Sequence, residues 1–330
     1  MKSKEKDNNK DPKNKVIVSF ISSIIILLLI AILISFNIYL SKSRYHLNIY
    51  DQDIKVLAVN DEKIVEKKSF AKLPVLKKDT EFPLVSARSV MAIDLESGSS
   101  LYKKDPDVDS LPASTTKIMT AIVAMEYYDP AEEIVVEKNG IVGQKMGLIV
   151  GERITVDSLI KGLLIASAND AAEVLARHYQ DGREGFIEKM NEKVIKLRLT
   201  NTFFKNPSGL DEMGQTTTAR DLMKLATYSM QKPYFREIVG TKKLDVYSVD
   251  GNKVHTLNST NELLGEVEGV LGTKTGWTEN ARENLVTYIE RDDKKVIIVL
   301  LGSQDRFGET RKLIDWIFES YDWTDVNIDI

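Results

Sequence analysis

The sequence predicts an α/β chain of the layered α+β kind: an antiparallel sheet flanked by helices and completed by both ends of one domain, with a helical lobe between those ends and one transmembrane helix ahead of it. Three observations lead there. An uncharged run of 25 residues, 16–40, follows a lysine-rich start. Apolar–polar alternation appears near residue 90 and returns beyond residue 240, while helical periodicity dominates the stretch between. Of the 330 residues, 43% are apolar, enough for one or two packed cores.

Residues 1–15 carry six lysines and precede "VIVSFISSIIILLLIAILISFNIYL". A helix of that length reaches roughly 37 Å, enough to cross a hydrocarbon layer of about 30 Å with some tilt. A cleaved signal has a shorter apolar core and small residues at its exit, whereas "NIYLSKSRY" follows here. The reading is an uncleaved anchor over 16–40, with the lysine-rich tail cytoplasmic and everything after residue 40 outside. Residues 41–83, polar and without sustained period, read as a stalk.

From residue 84 the elements follow in order. "SVMAIDLESGSSLYKK" alternates around Ser97-Gly98, a hairpin signal. In "STTKIMTAIVAMEYY", Ile118, Ile122 and Met125 recur at helical spacing, with Ser114 at the cap position. "TVDSLIKGLLIAS", "DAAEVLARHY" and "GREGFIEKMNEKVIKLRL" read as further helices, and the threonines opening "TTTARDLMKLATYSM" are able to cap another. Strands return with "KKLDVYSVDGNKVHTL", turning at Asp250-Gly251, then "GTKTGW", "NLVTYIER" and "KVIIVLLGS". "ETRKLIDWIFESY" closes as a helix.

Composition narrows the chemistry. A net charge of −4 offers no nucleic acid a basic surface, so no such partner is expected. Cysteine is absent, which removes disulfides, thiol nucleophiles and thiolate metal sites. The three histidines, His46, His178 and His255, lack metal-ligand spacing, so no metal or other cofactor is expected. His178 and His255 read as surface or boundary residues, Trp316 and Trp323 as core or rim.

The remaining candidate chemistry lies in three short motifs. Ser-x-x-Lys occurs six times and is weak alone, but Ser114 and Lys117 open an apolar helix and project to one side over one turn. Ser-x-Asn occurs three times, and the copy Ser167–Asn169 stands between two helices, where a loop can present it to a cleft. Lys-Thr-Gly occurs once, at Lys274, Thr275 and Gly276.

The order of these motifs resembles that of the penicillin-recognising serine enzymes, and most closely the low-molecular-weight serine D-alanyl-D-alanine carboxypeptidases of the β-lactamase/transpeptidase-like superfamily. "PASTTKIMTA", "GERITVDSLIKGLLIASANDAAEVLA", "NPSGLDEMGQTTTARDL" and "GVLGTKTGWT" carry the likeness as well. The resemblance implies that 84–330 is the catalytic domain and that the substrate is a peptidoglycan stem peptide ending in D-Ala-D-Ala, with β-lactams as inhibitors and the bilayer as partner of the N-terminal helix. It implies Ser114 as nucleophile and Lys117 as its base. A lysine serves as base only when neutral, which burial and a second cation, Lys274, would favour. Ser167 would pass a proton to the leaving amine, and Asn169 would orient Lys117 and the substrate amide. Lys274 and Thr275 would hold the terminal carboxylate, Gly276 would let the strand approach, and the Ser114 and Trp277 backbone N–H groups would cradle the oxyanion.

Some features depart from that family. Ala168 stands where glycine is commoner, and Ala281-Arg282 replaces Ala-Gly after "KTGWT", placing Arg282 near the site. Family members usually have a cleaved signal, a C-terminal β-rich domain and a C-terminal amphipathic anchor; attachment here is expected at the N-terminus. Arg306, following a strand in "GSQDRFG", is a candidate to assist with the substrate carboxylate, but reads more readily as a surface arginine. A class A β-lactamase would need a Glu-x-x-x-Asn after Ser-x-Asn, and none occurs in 170–240. A tethered β-lactam sensor remains an alternative, as do endopeptidase and transpeptidase activities, because motif residues do not specify the acceptor.

Overall fold

A computed structural model describes residues 72–78, 80–138 and 141–325. The chain divides into two units, Met1–Lys68 and Ser69–Ile330, and every described residue belongs to the second. The expected tail, the anchor at 16–40, most of the stalk and His46 lie outside the described residues. Among the described residues no helix is long and apolar enough to cross a membrane.

The central sheet has five strands in the order β3-β2-β10-β9-β8, all antiparallel: β2 (Ser89–Asp94), β3 (Ser100–Lys104), β8 (Val270–Thr278), β9 (Arg282–Arg291) and β10 (Lys294–Ser303). The expected joining of both ends of the domain is the pairing of β2 with β10. "KVIIVLLGS" is apolar throughout because β10 is central and covered on both faces. Ile297, Val299 and Leu301 enter one core, while Val296, Ile298 and Leu300 enter the other. This period-2 division splits the molecule into layers.

The Leu300 face packs on α7 (Arg306–Ser320) through Leu313, Ile314 and Ile317. The Leu301 face packs on a lobe of α1 (Thr116–Tyr127), α2 (Val156–Ile165), α3 (Asn169–His178), α4 (Gly182–Lys196), α5 (Ala219–Met230) and α6 (Pro233–Val239). Each fully buried Leu, Ile or Phe contributes about 1.5–3 kcal/mol. Caps set the helix starts: Thr155 accepts from Ser158 N, Thr218 from Asp221 N and Asp305 from Gly308 N. Such caps stabilise by about 1 kcal/mol each. Two small ribbons complete the lobe, β4 (Glu133–Val135) with β5 (Arg153–Thr155), and β6 (Lys243–Tyr247) with β7 (Val254–Asn258). The latter turns at Asp250-Gly251 as expected, with Gly251 at φ +72° and the Asp250 carboxylate accepting from Asn252 N.

Two expectations need correction. Ser114 does not cap α1; it sits in a 3₁₀ turn, Ala113–Thr115, ahead of the helix. Its hydroxyl bonds a side chain instead, as described below. The folded unit also begins before residue 84. Leu73–Leu76 forms β1 and pairs with β11 (Tyr321–Thr324), and the Trp316 indole donates to Glu81 O at 2.7 Å. The short alternation in β1 is masked in the sequence by flanking lysines, and its partner lies some 250 residues away.

Candidate active site

Helix α1 supplies the first pair. Thr116 to Ala124 are all buried, because α2, α3, α4 and α5 surround the helix within the lobe. Lys117 therefore enters an interior position and is fully buried. Its Nζ lies 2.8 Å from Ser114 Oγ and donates to Ser208 O at 2.6 Å. Burial, with the Lys274 ammonium as second cause, pushes its pKa well below that of an ordinary lysine, while Asp170 opposes the shift. A neutral amine keeps one lone pair. With an N–H engaged by Ser208, that lone pair is available for the Ser114 proton. Ser114 itself is only partly buried, so its hydroxyl is reachable from solvent.

The backbone around Ser114 is held in a sparsely populated shape. Ala113 lies at φ +48°, in the left-handed region that costs a non-glycine residue about 1–2 kcal/mol. Neighbours enforce it. The fully buried Asn284 of β9 donates to Leu111 O at 2.9 Å and Pro112 O at 3.0 Å, and its own carbonyl accepts from Gly302 N. On the other side Gly209, at φ +86°, lies so close that a Cβ there would stand 1.9 Å from Ala113 O.

Strand β8 forms the facing wall. It is the last strand of the sheet, so its outer edge is free to meet Ser114. At Gly276 a Cβ would stand 3.2 Å from Ser114 N, Pro112 O and the Ala113 side chain. The missing side chain thus allows the close approach that the motif required. Lys274 is 1% exposed, with Nζ donating to Thr275 O at 3.0 Å. Burial first and Arg306 second lower its pKa to about 7. The two lysines share the repulsion unequally: Lys274 helps to deprotonate Lys117, and Arg306 presses on Lys274.

The Ser-x-Asn pair is brought to the same place. Ser167, 5% exposed and at φ +57°, follows α2, and Asn169 opens α3. Asn169 donates its side-chain amide to Val142 O at 2.8 Å and its backbone N–H to Gln144 O at 2.8 Å. Its Oδ1 is buried without a partner among the described residues, so an acceptor remains for a bound amide. Thr260 N donates to Ile165 O, and Thr260 Oγ1 lies 2.6 Å from Thr275 Oγ1, which ties β8 to the end of α2 beside Ser167. Lys117 and Gly276 thus lie directly against Ser114, Thr260 links Thr275 to the end of α2 that carries Ser167, and Trp277 is 62% exposed.

Sequence reasoning missed several contributors. Ser208, Gly209, Thr260 and Asn284 act through backbone or hydroxyl contacts that carry no short motif. Asp170 was adjacent to Asn169 and still unassigned; it accepts backbone N–H bonds from Met146, Gly147 and Leu148. Two further expectations change. Arg306 is not a surface arginine: it is partly buried, and its guanidinium donates to Gly276 O at 3.2 Å, because the β10–α7 corner folds back on β8. His255 is buried, with Glu152 Oε1 2.6 Å away, because β7 alternates and turns His255 and Leu257 inward while Val254, Thr256 and Asn258 stay exposed. Arg282 is exposed at the β8–β9 turn, paired with Thr278.

A serine bonded to a buried lysine and facing an edge strand with a second lysine, inside an antiparallel sheet and helical lobe, is the arrangement expected of the penicillin-recognising serine enzymes. Comparison with known proteins supplies the narrower class. The chain belongs to the D-alanyl-D-alanine carboxypeptidase family, whose model matches residues 77–305. It is 32% identical over 246 residues to a D-alanyl-D-alanine carboxypeptidase of Bacillus subtilis, covering 72% of this chain and 63% of that relative's length. A D-alanyl-D-alanine carboxypeptidase of Mycobacterium tuberculosis is 31% identical, with 70% of this chain and 82% of the relative covered. The solved structure of the Streptomyces K15 DD-transpeptidase superposes with a TM-score of 0.69 at 31% identity, covering 73% of this chain and all of that one.

Proposed function

We propose that the protein is a membrane-anchored serine D-alanyl-D-alanine carboxypeptidase that shortens peptidoglycan stem peptides by one D-alanine and is acylated by β-lactams. The observation that carries this reading is the 2.8 Å bond between the buried Lys117 amine and the reachable Ser114 hydroxyl. Ser114 Oγ attacks the carbonyl carbon of the penultimate D-alanine as Lys117 takes its proton. The negative oxygen then faces the backbone N–H groups of Ser114 and Trp277, and each such donor contributes about 10²–10³ in rate. The C–N bond breaks, and the proton held by Lys117 passes through the Ser167 hydroxyl to the departing amine, which leaves Lys117 neutral again. Lys274 and Thr275, with Arg306 behind them, hold the terminal carboxylate. Asn169 Oδ1 accepts from the substrate amide. Water then hydrolyses the ester, returning Ser114 and releasing the shortened peptide.

The apolar run 16–40 and the lysines before it support a single-pass anchor in the bacterial cell membrane with the catalytic unit outside. Incubating the protein with a peptide ending in D-Ala-D-Ala tests the reading. Free D-alanine is expected from the wild type and none from Ser114→Ala. Penicillin labelling without release of D-alanine would leave the sensor as the better account. The likeness to the K15 enzyme favours one second reading, transpeptidation, which an added amine acceptor would reveal as a cross-linked product.

A further inference from the structure

The residues 142–149 lie against the start of α3 and supply both carbonyls that hold Asn169, from Val142 and Gln144. Met146 and Leu148 pack on the apolar core of the lobe, and the rest of the segment's hold is polar. Asp170 takes the amides of 146–148, and Glu152 Oε2 accepts from Ile149 N at 3.0 Å. Glu152 Oε1 in turn lies 2.6 Å from His255 Nε2, and His255 Nδ1 lies 3.1 Å from Met146 O. Both members of this pair are buried, the His255 side chain at 6% and the Glu152 side chain at 3% exposure.

The imidazole therefore faces an oxygen at each nitrogen. A carbonyl accepts only, so Nδ1 must carry a proton toward Met146 O. A carboxylate also accepts only, so the Nε2–Glu152 bond needs a second proton between them. Neutral imidazole beside a carboxylate would turn a lone pair toward an anion in the interior, which is costly.

We propose that His255 and Glu152 are positioning residues for the proposed acyl transfer: in contact with each other, with Met146 O and with Ile149 N, they clamp residues 146–149 to β7 and thereby hold Asn169 in place. His255 reaches Met146 from the β6–β7 ribbon, far in sequence from any catalytic motif. Neither side chain touches a reacting atom; each acts through the backbone that grips Asn169. The clamp rests on the serine-hydrolase reading for its effect on rate, but its existence is independent of it.

The test uses the full chain with two variants. In Glu152→Gln a carboxamide replaces the carboxylate; its N–H can donate to a neutral Nε2 and its oxygen can still accept from Ile149 N, so the clamp needs no additional proton. The double variant His255→Phe/Glu152→Gln fills the same space without either imidazole bond and leaves no unpaired carboxylate. Penicillin acylation rate, D-alanine release with kcat and KM separated, and amide exchange at 144–149 are measured. Glu152→Gln is expected within about threefold of wild type. The double variant is expected to acylate at least tenfold more slowly, with faster exchange at 146–149, since misplacing a positioning group by ~1 Å can cost about 10² in rate. Wild-type acylation by a folded double variant would overturn the proposal. So would wild-type exchange at 144–149 as fast as in open chain, a result that stands whether or not the double variant folds. Should the wild type neither label nor release D-alanine, the catalytic reading fails, while the exchange measurement still decides the clamp.

Discussion

Gly276→Ala isolates the close approach of β8 to the nucleophile. The position requires no unusual backbone, since Gly276 does not stand among the positive-φ glycines. Only space is at issue. The added methyl would meet Ser114 N, Pro112 O and the Ala113 side chain, each at 3.2 Å. Ordinary contact begins near 3.4 Å, so something must give by a few tenths of an ångström. Pro112 and Ala113 cannot retreat easily, because Asn284 and Gly209 pin them from both sides. The edge strand β8 gives instead, carrying the Trp277 N–H away from the oxyanion position proposed for it. Loss of one such donor costs about 10²–10³ in kcat, or roughly 2.7–4 kcal/mol of barrier. Steady-state D-alanine release and the rate constant of penicillin acylation are both expected to fall by that factor, with the melting temperature displaced by only a few degrees. Acylation within threefold of wild type, in a folded variant, would refute the assigned geometry.

Other expectations follow from the same site. Lys274, lowered to about 7 by burial and Arg306, is less protonated in the folded than in the unfolded chain between about pH 7 and 10.5, so stability rises with pH across that window. Replacement by methionine is expected to stabilise the fold most below pH 7 and progressively less toward pH 10.5, measured as denaturant midpoints. Because Lys274 must be charged to hold a carboxylate, kcat/KM is expected to rise as Lys117 deprotonates and to fall above about pH 7; Lys274→Arg should remove the fall. Asp170→Ala orphans the amides of 146–148, and a loss of about tenfold in acylation is expected, with faster exchange at those amides. Phe186, fully buried on α4, should cost about 3–5 kcal/mol on truncation to alanine, read from chemical denaturation, with the active fraction retaining normal kinetics.

Legibility in the sequence differed by the range of the interaction. Helices and hairpins with strong local period were readable: β2–β3 turns at Ser97-Gly98, and α2 and α5 start at threonine caps. Strand β1 was not, since four residues of alternation have meaning only against β11. Ser114 was placed at a cap because it precedes an apolar run. The structure places it instead in a strained 3₁₀ turn, held by Asn284 and Gly209 from distant parts of the chain. Arg306 was read as exposed from composition alone, which takes no account of the corner that returns it to β8.

The amino-acid sequence by itself determined the chemical inventory: a Ser-x-x-Lys opening an apolar helix, one Ser-x-Asn between helices, one Lys-Thr-Gly, no cysteine and a long apolar run near the N-terminus. Those are covalent facts, and their order along the chain already narrowed the reaction. Only the tertiary structure decided that Lys117 is dry, that Lys274 lies close enough to repel its proton, and that Asp170, Glu152 and His255 brace the segment gripping Asn169. Protonation and positioning depend on what surrounds a group in space, and the neighbours here are contributed by residues up to about 170 positions apart.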